Sequence, residues 1–190
     1  RLKPTLPQDI RLFIAYDEST FVEKAIDQVW LTLGVAFLLV IGVIFVFLRN
    51  VRTSFVPVIT VPVSIIGTFY VVSLFGFSIN ILTMLALVLV IGIVVDDAIV
   101  VLENIYRHLE RGEPPLVAAQ RGMKEITFAV IATTVSLVAV FVPFTFLRDQ
   151  IGRLFIEFAV TLASAVCVSS FVALTLTPML CSRILKAHDR

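Results

Sequence analysis

The chain has 190 residues, 59% of them apolar, with 15 basic against 14 acidic side chains and a formal charge of +1. Soluble domains carry roughly 45–50% apolar residues, so this composition excludes an ordinary soluble globular protein. The near-balanced charge offers nothing to nucleic acid, and Cys167 and Cys181 have no spacing that suggests a disulfide or a metal site.

The chain opens on a polar stretch with no initiator Met and no signal-peptide pattern. It is expected to be a piece of a longer protein. Ile10–Tyr16 (IRLFIAY) has the branched and aromatic content of a β-strand. A lone strand has no sheet to join, so residues 1–20 are expected to end a larger extracytoplasmic domain. Ser19 or Thr20 suits the cap of a helix that runs through Phe21–Gln28 into the first apolar segment.

Crossing the hydrocarbon takes about 20 mainly apolar helical residues. Five segments qualify: Val29–Leu48, Phe55–Phe75, Ile79–Val101, Ile126–Leu147 and Leu154–Pro178. They are apolar on all sides rather than alternating, which excludes a β-barrel, and helices satisfy their own backbone in lipid. The predicted fold class is therefore an all-α membrane protein. Residues 21–190 form a five-helix transmembrane bundle, and the tail before it carries a short extracytoplasmic strand. Pro57 and Pro62 predict a kink in the second span and Pro143 a bend in the fourth. Pro114 and Pro115 suit a helix start, and residues 116–125 read as a short amphipathic helix at the interface.

Basic residues set the orientation. Arg49, Arg52, Arg107, Arg111, Arg121, Lys124, Arg183, Lys186 and Arg190 fall on one side, which is expected to be cytoplasmic. The N-terminal tail then lies outside and the C-terminus inside.

Asp96 and Asp97 interrupt the third span near its inner end. Ionisable groups in hydrocarbon are costly, and each is a functional-site hypothesis by default. Adjacent residues lie about 100° apart on a helix, so the two acids present a broad acidic face. Gly92 lies one turn outward on the Asp96 face, where it would let a neighbouring helix approach. Glu103 and Asn104 continue the same two rows inward, as the lining of a half-channel for water and protons would. Desolvation and the neighbouring like charge both favour the neutral acid. None of the five spans holds Lys, Arg or His in its hydrocarbon core. Either the pair stays largely neutral, or a compensating base lies on helices outside this chain; in the second case proton binding at the pair would release the base and move helices.

Other polar residues have plainer readings. Glu103 with Arg107 at i+4 suits a surface ion pair, and Glu157 can snorkel. Thr133, Thr134 and Ser136 are expected to bond their own backbone. Ala163, Ser164, Ala165, Ser169 and Ser170 read as close helix packing. Both acids lie on one helix, which excludes an aspartyl intramembrane protease, and no His or Cys joins them to bind metal.

The run Gly92-Ile-Val-Val-Asp96-Asp97-Ala-Ile-Val-Val-Leu-Glu103-Asn104 resembles the fourth transmembrane helix of resistance-nodulation-division efflux permeases of the AcrB type. Phe47-Leu-Arg-Asn50 with Arg52, Phe75-Gly-Phe-Ser-Ile-Asn80, Phe141-Val-Pro143 and Ala173-Leu-Thr-Leu-Thr-Pro178 with Leu180-Cys181 resemble other parts of the same half. The resemblance implies that the spans are transmembrane helices two to six of the N-terminal half, and that Ile10–Tyr16 ends the periplasmic porter domain. It implies a multi-pass protein of the bacterial inner membrane that exports drugs or other amphiphiles by proton antiport, not an enzyme. Asp96 and Asp97 would be the proton relay, with Gly92, Glu103 and Asn104 as support and no metal or other cofactor beyond the proton gradient. The implied partners are membrane lipids, a C-terminal half supplying a Lys, a homotrimer, a periplasmic adaptor and an outer-membrane channel. The alternative is a sterol-sensing-like or lipid-transport module of the same superfamily that exports no drug.

Overall fold

The structure is a computed structural model that describes residues 19–48, 51–77, 80–146 and 150–185. The expected strand at residues 10–16 lies outside them. The described residues form five long helices: α1 (Ser19–Leu48), α2 (Val51–Leu74), α3 (Ile81–Glu110), α4 (Pro115–Phe141) and α5 (Gln150–Ile184), with a 3-10 turn over Val142–Phe146. All five are long and apolar enough to cross a membrane.

The breaks between helices have local causes. Gly76 follows α2 in a left-handed conformation (φ 72°), which costs glycine little. Asn80 then caps α3: its side chain accepts from the Thr83 backbone N–H at 2.9 Å, while its own N–H donates to the Thr83 hydroxyl at 2.8 Å. This reciprocal pair satisfies two donors that a helix start leaves unmatched. At the far end Gly112 (φ 85°) donates to the Leu109 carbonyl at 2.9 Å and turns the chain. Pro115 opens α4 as expected, where its missing N–H costs nothing. Residues 116–125 are the first turns of α4, which continues into the span without a break. Pro143 falls where α4 gives way to the 3-10 turn. Pro178, by contrast, lies inside α5, which runs on to Ile184.

The helices α3 and α5 form the buried centre, and α1 and α4 lie mostly at the surface. Val90, Ile91 and Val94 of α3 are packed away with Leu162 and Ala165 of α5. Toward the other end Val101, Leu102 and Ile105 of α3 join Ala118, Ala119 and Val130 of α4. Large apolar side chains such as Leu38, Leu39, Tyr70, Phe128 and Phe171 point outward. In water such a surface would aggregate; in hydrocarbon it needs no cover, because lipid tails solvate it.

Three buried hydroxyls of α2 bond within their own helix. Thr60, Ser64 and Thr68 donate to the carbonyls of Pro57, Thr60 and Ser64 at 3.3, 2.9 and 2.8 Å. Small residues set the closest approaches. A methyl on Gly67 would stand 2.7 Å from a Val168 methyl of α5, and one on Gly122 would stand 3.0 Å from the Ile105 backbone of α3.

Candidate functional site

The 100° between neighbouring helix positions separates the two aspartates. Asp97 turns toward α5, where Ser169 and Ser170 each donate a hydroxyl hydrogen bond to its Oδ2, at 3.1 and 3.2 Å. Asp96 turns outward and is exposed on the surface of this chain. The two rows continue as expected: Glu103 is exposed below Asp96, and Asn104 is buried below Asp97. Gly92 is also exposed, and no atom of a neighbouring helix lies within 4 Å of the place its Cβ would take. The close approach expected at Gly92 is therefore not made by the described helices.

Among the described residues no cation pairs with either aspartate, since all the ion pairs lie elsewhere. Nor is there, among the described residues, a cluster of three His, Cys, Asp or Glu side chains that could hold a metal ion.

A third helix reaches the site through hydroxyls. Thr134 of α4 is hydrogen-bonded to the Ser170 Oγ, and its own Oγ1 also lies 2.7 Å from the Val130 carbonyl. Thr133 and Ser136 donate to backbone carbonyls of α4 at 2.9 Å each, as expected. Ser169 and Ser170 correct the packing reading of the small-residue row: they are buried and hydrogen-bonded to a carboxylate. Small polar residues at helical spacing look alike whether they pack or bond, and only the facing Asp97 distinguishes them.

The polar end of α3 holds a second cluster. Asn104 donates to the Gly122 carbonyl at 2.7 Å and to Glu125 at 3.3 Å, and it accepts from Arg107 at 2.5 Å. Arg107 pairs with Glu125 at 3.2 Å rather than with the expected Glu103. His108 is buried, with one ring nitrogen 3.3 Å from Glu113 and the other 3.3 Å from Glu125. Arg121 closes the group on Glu113 at 2.9 Å. Burial alone would push the Glu113 carboxyl up. The facing His108 and Arg121, by hydrogen bonding and charge, outweigh that and hold it below its ordinary value of 4.5. Sequence reasoning missed His108, Glu113 and Glu125. The available signal was the i, i+3, i+4 spacing of Asn104, Arg107 and His108, which places them on one face of α3.

At the upper end of the α3–α5 contact, Asn80 donates a hydrogen bond to Glu157. Glu157, read as a snorkelling residue, thus ties α5 to the cap of α3. Two polar ties, one at the Asn80 cap and one at Asp97, hold the central helix pair.

The whole chain, residues 1–190, matches the family described as AcrB/AcrD/AcrF. It is 49% identical over 189 residues to multidrug resistance protein MdtC of Yersinia pseudotuberculosis serotype O:1b, covering 100% of this chain and 18% of that protein. The MdtC protein of Yersinia pestis bv. Antiqua (strain Angola) is equally similar, at 49% over the same coverage. The chain therefore spans 18% of the length of these relatives.

Proposed function

The chain belongs to the AcrB/AcrD/AcrF family, and on that footing we propose that it is part of the membrane engine of a proton-driven multidrug exporter, with Asp96 and Asp97 as the proton-binding site. The observation that carries this reading is the setting of Asp97. A carboxyl group in the central α3–α5 contact is held by two hydroxyls and, among the described residues, is paired with no cation. Such a group has two accessible states. Neutral, it needs only its hydroxyl partners. Ionised, it calls for a positive charge, which desolvation makes worth far more than in water.

Asp96 supports the same reading from the other row. It faces outward beside Gly92, where a further helix has room to approach. A lysine on such a helix would be drawn to the ionised pair and released when a proton arrives. This differential contact is what lets proton binding shift a conformational equilibrium. Glu103 and Asn104 extend the two rows toward the end rich in Lys and Arg, which the positive-inside rule assigns to the cytoplasm. The working protein is then a multi-pass protein of the bacterial inner membrane, a homotrimer joined to a periplasmic adaptor and an outer-membrane channel. Its energy comes from the proton gradient, and its drug path lies in parts of the protein beyond this chain.

The test is Asp97→Asn and Asp96→Asn in the full-length transporter, with dye efflux measured in cells and membrane levels checked by immunoblot. Efflux is expected to disappear in both while protein levels hold. Drug resistance retained in both variants would overturn the reading.

A further inference from the structure

Asp97, Ser170 and Thr134 form a continuous hydrogen-bonded line across α3, α5 and α4, and it ends on a backbone carbonyl. Ser170 lies 3.2 Å from Asp97 Oδ2 and is bonded to Thr134, whose Oγ1 lies 2.7 Å from the Val130 carbonyl. Each hydroxyl has a single proton to donate, so every link in the line has a direction. Ser170 is 5% exposed and Val130 is 4% exposed, so surrounding solvent has little room to replace a lost link.

The direction depends on the carboxyl group. An ionised Asp97 only accepts, so Ser170 gives its proton to Asp97 and must accept from Thr134. Thr134 then has none left for Val130. A neutral Asp97 can donate to Ser170; Ser170 then donates to Thr134, and Thr134 donates to the Val130 carbonyl. We propose that Ser170 and Thr134 are positioning residues that read the charge state of Asp97 and convey it to α4 by reversing this line.

The proposal rests on the reading of Asp97 as a proton site and adds the helix that responds to it. The endpoint is mechanical. The Val130 carbonyl also accepts from the Thr133 hydroxyl at 2.9 Å. Hydroxyls bonded back to the preceding turn tend to bend a helix. In the neutral state Val130 holds two such bonds, and in the ionised state one. Loading a proton therefore changes the bend of α4 at a fixed point. Asp96, next on α3, is the charged group that acts on Asp97 among the described residues; α4 and α5 contribute hydroxyls alone to this line.

The experiment measures dye efflux against pH in the full-length transporter for Ser170→Ala, Thr134→Val, Thr134→Ser and Asp97→Asn. The two disabling variants should move the midpoint in opposite directions. Removing the Ser170 hydroxyl takes a donor from the ionised acid, so the neutral form gains and the midpoint rises. Thr134→Val removes the acceptor that Ser170 uses when Asp97 is neutral and the donor it uses when Asp97 is ionised. A buried hydroxyl proton left without an acceptor costs more than an unfilled lone pair, so the ionised form gains and the midpoint falls. Each shift should be about half a pH unit, the effect of part of one hydrogen bond. Thr134→Ser keeps the hydroxyl and should keep the wild-type profile, which separates the bond from packing. Shifts of the same sign, or none, with Asp97→Asn inactive would overturn the hydroxyl line alone. An active Asp97→Asn would overturn Asp97 as a proton site and the line with it.

Discussion

Replacing Gly122 with alanine tests the joint that fixes α4 on α3. The new methyl would sit 3.0 Å from the Ile105 Cα, its backbone nitrogen and its Cγ1. Carbon atoms settle at about 3.5–4.0 Å, so the helices must part by roughly half an ångström or more. Two of the three contacts are backbone and cannot rotate away. Overpacking of this kind costs about 1–3 kcal/mol. The same displacement stretches the 2.7 Å bond from Asn104 to the Gly122 carbonyl, a loss of about 1 kcal/mol. Against this, alanine is favoured over glycine in a helix by about 1 kcal/mol. The net expectation is a local destabilisation of about 1–3 kcal/mol. Hydrogen exchange of the full-length protein in detergent reads this directly: amides in the first turns of α4 should exchange about five- to hundredfold faster. Adding Ile105→Ala should restore only part of the protection, because the backbone contacts remain. Unchanged or slower exchange in Gly122→Ala would refute the reasoning.

Two further outcomes are expected. Gly67→Ala should destabilise the α2–α5 contact, and Val168→Ala should relieve it, because the methyl that blocks the site belongs to a side chain; a melt of the double variant no higher than that of Gly67→Ala would count against this. Glu113, held below its ordinary value of 4.5, contributes stability that is fully present above that value and lost as the pH falls beneath it through the folded value. Comparing amide exchange at Arg111, Gly112 and residue 113 between wild type and Glu113→Gln should show protection that differs at neutral pH and converges in acid, and a difference constant with pH would contradict the pairing.

The five spans were legible because length and apolarity alone decide what crosses hydrocarbon. The opening of α4 at Pro115 and the two rows below Asp96 and Asp97 were legible for a similar reason, since helix geometry is local. Partner choice was not. Arg107 had an acidic residue four positions back, yet it bonds Glu125, which α4 brings from 18 residues away. His108 was passed over, because only the turn at Gly112 brings Glu113 and Glu125 against its ring. Ser169 and Ser170 became site residues only through the rotation of α5 about its axis, which the small and hydroxyl residues scattered along it do not specify. The continuity of α4 was hidden as well, because its polar first turns and apolar remainder read as separate elements.

That continuity gives α4 the character of a stiff rod pinned at Gly122 and touched at Thr134, about 18 Å apart at 1.5 Å per residue. A small pivot at one point sweeps the other. Under the proposed function, the loop around Glu113, outside the spans and far from any carboxyl in the lipid, is where a spin label or fluorophore would register movement of α4.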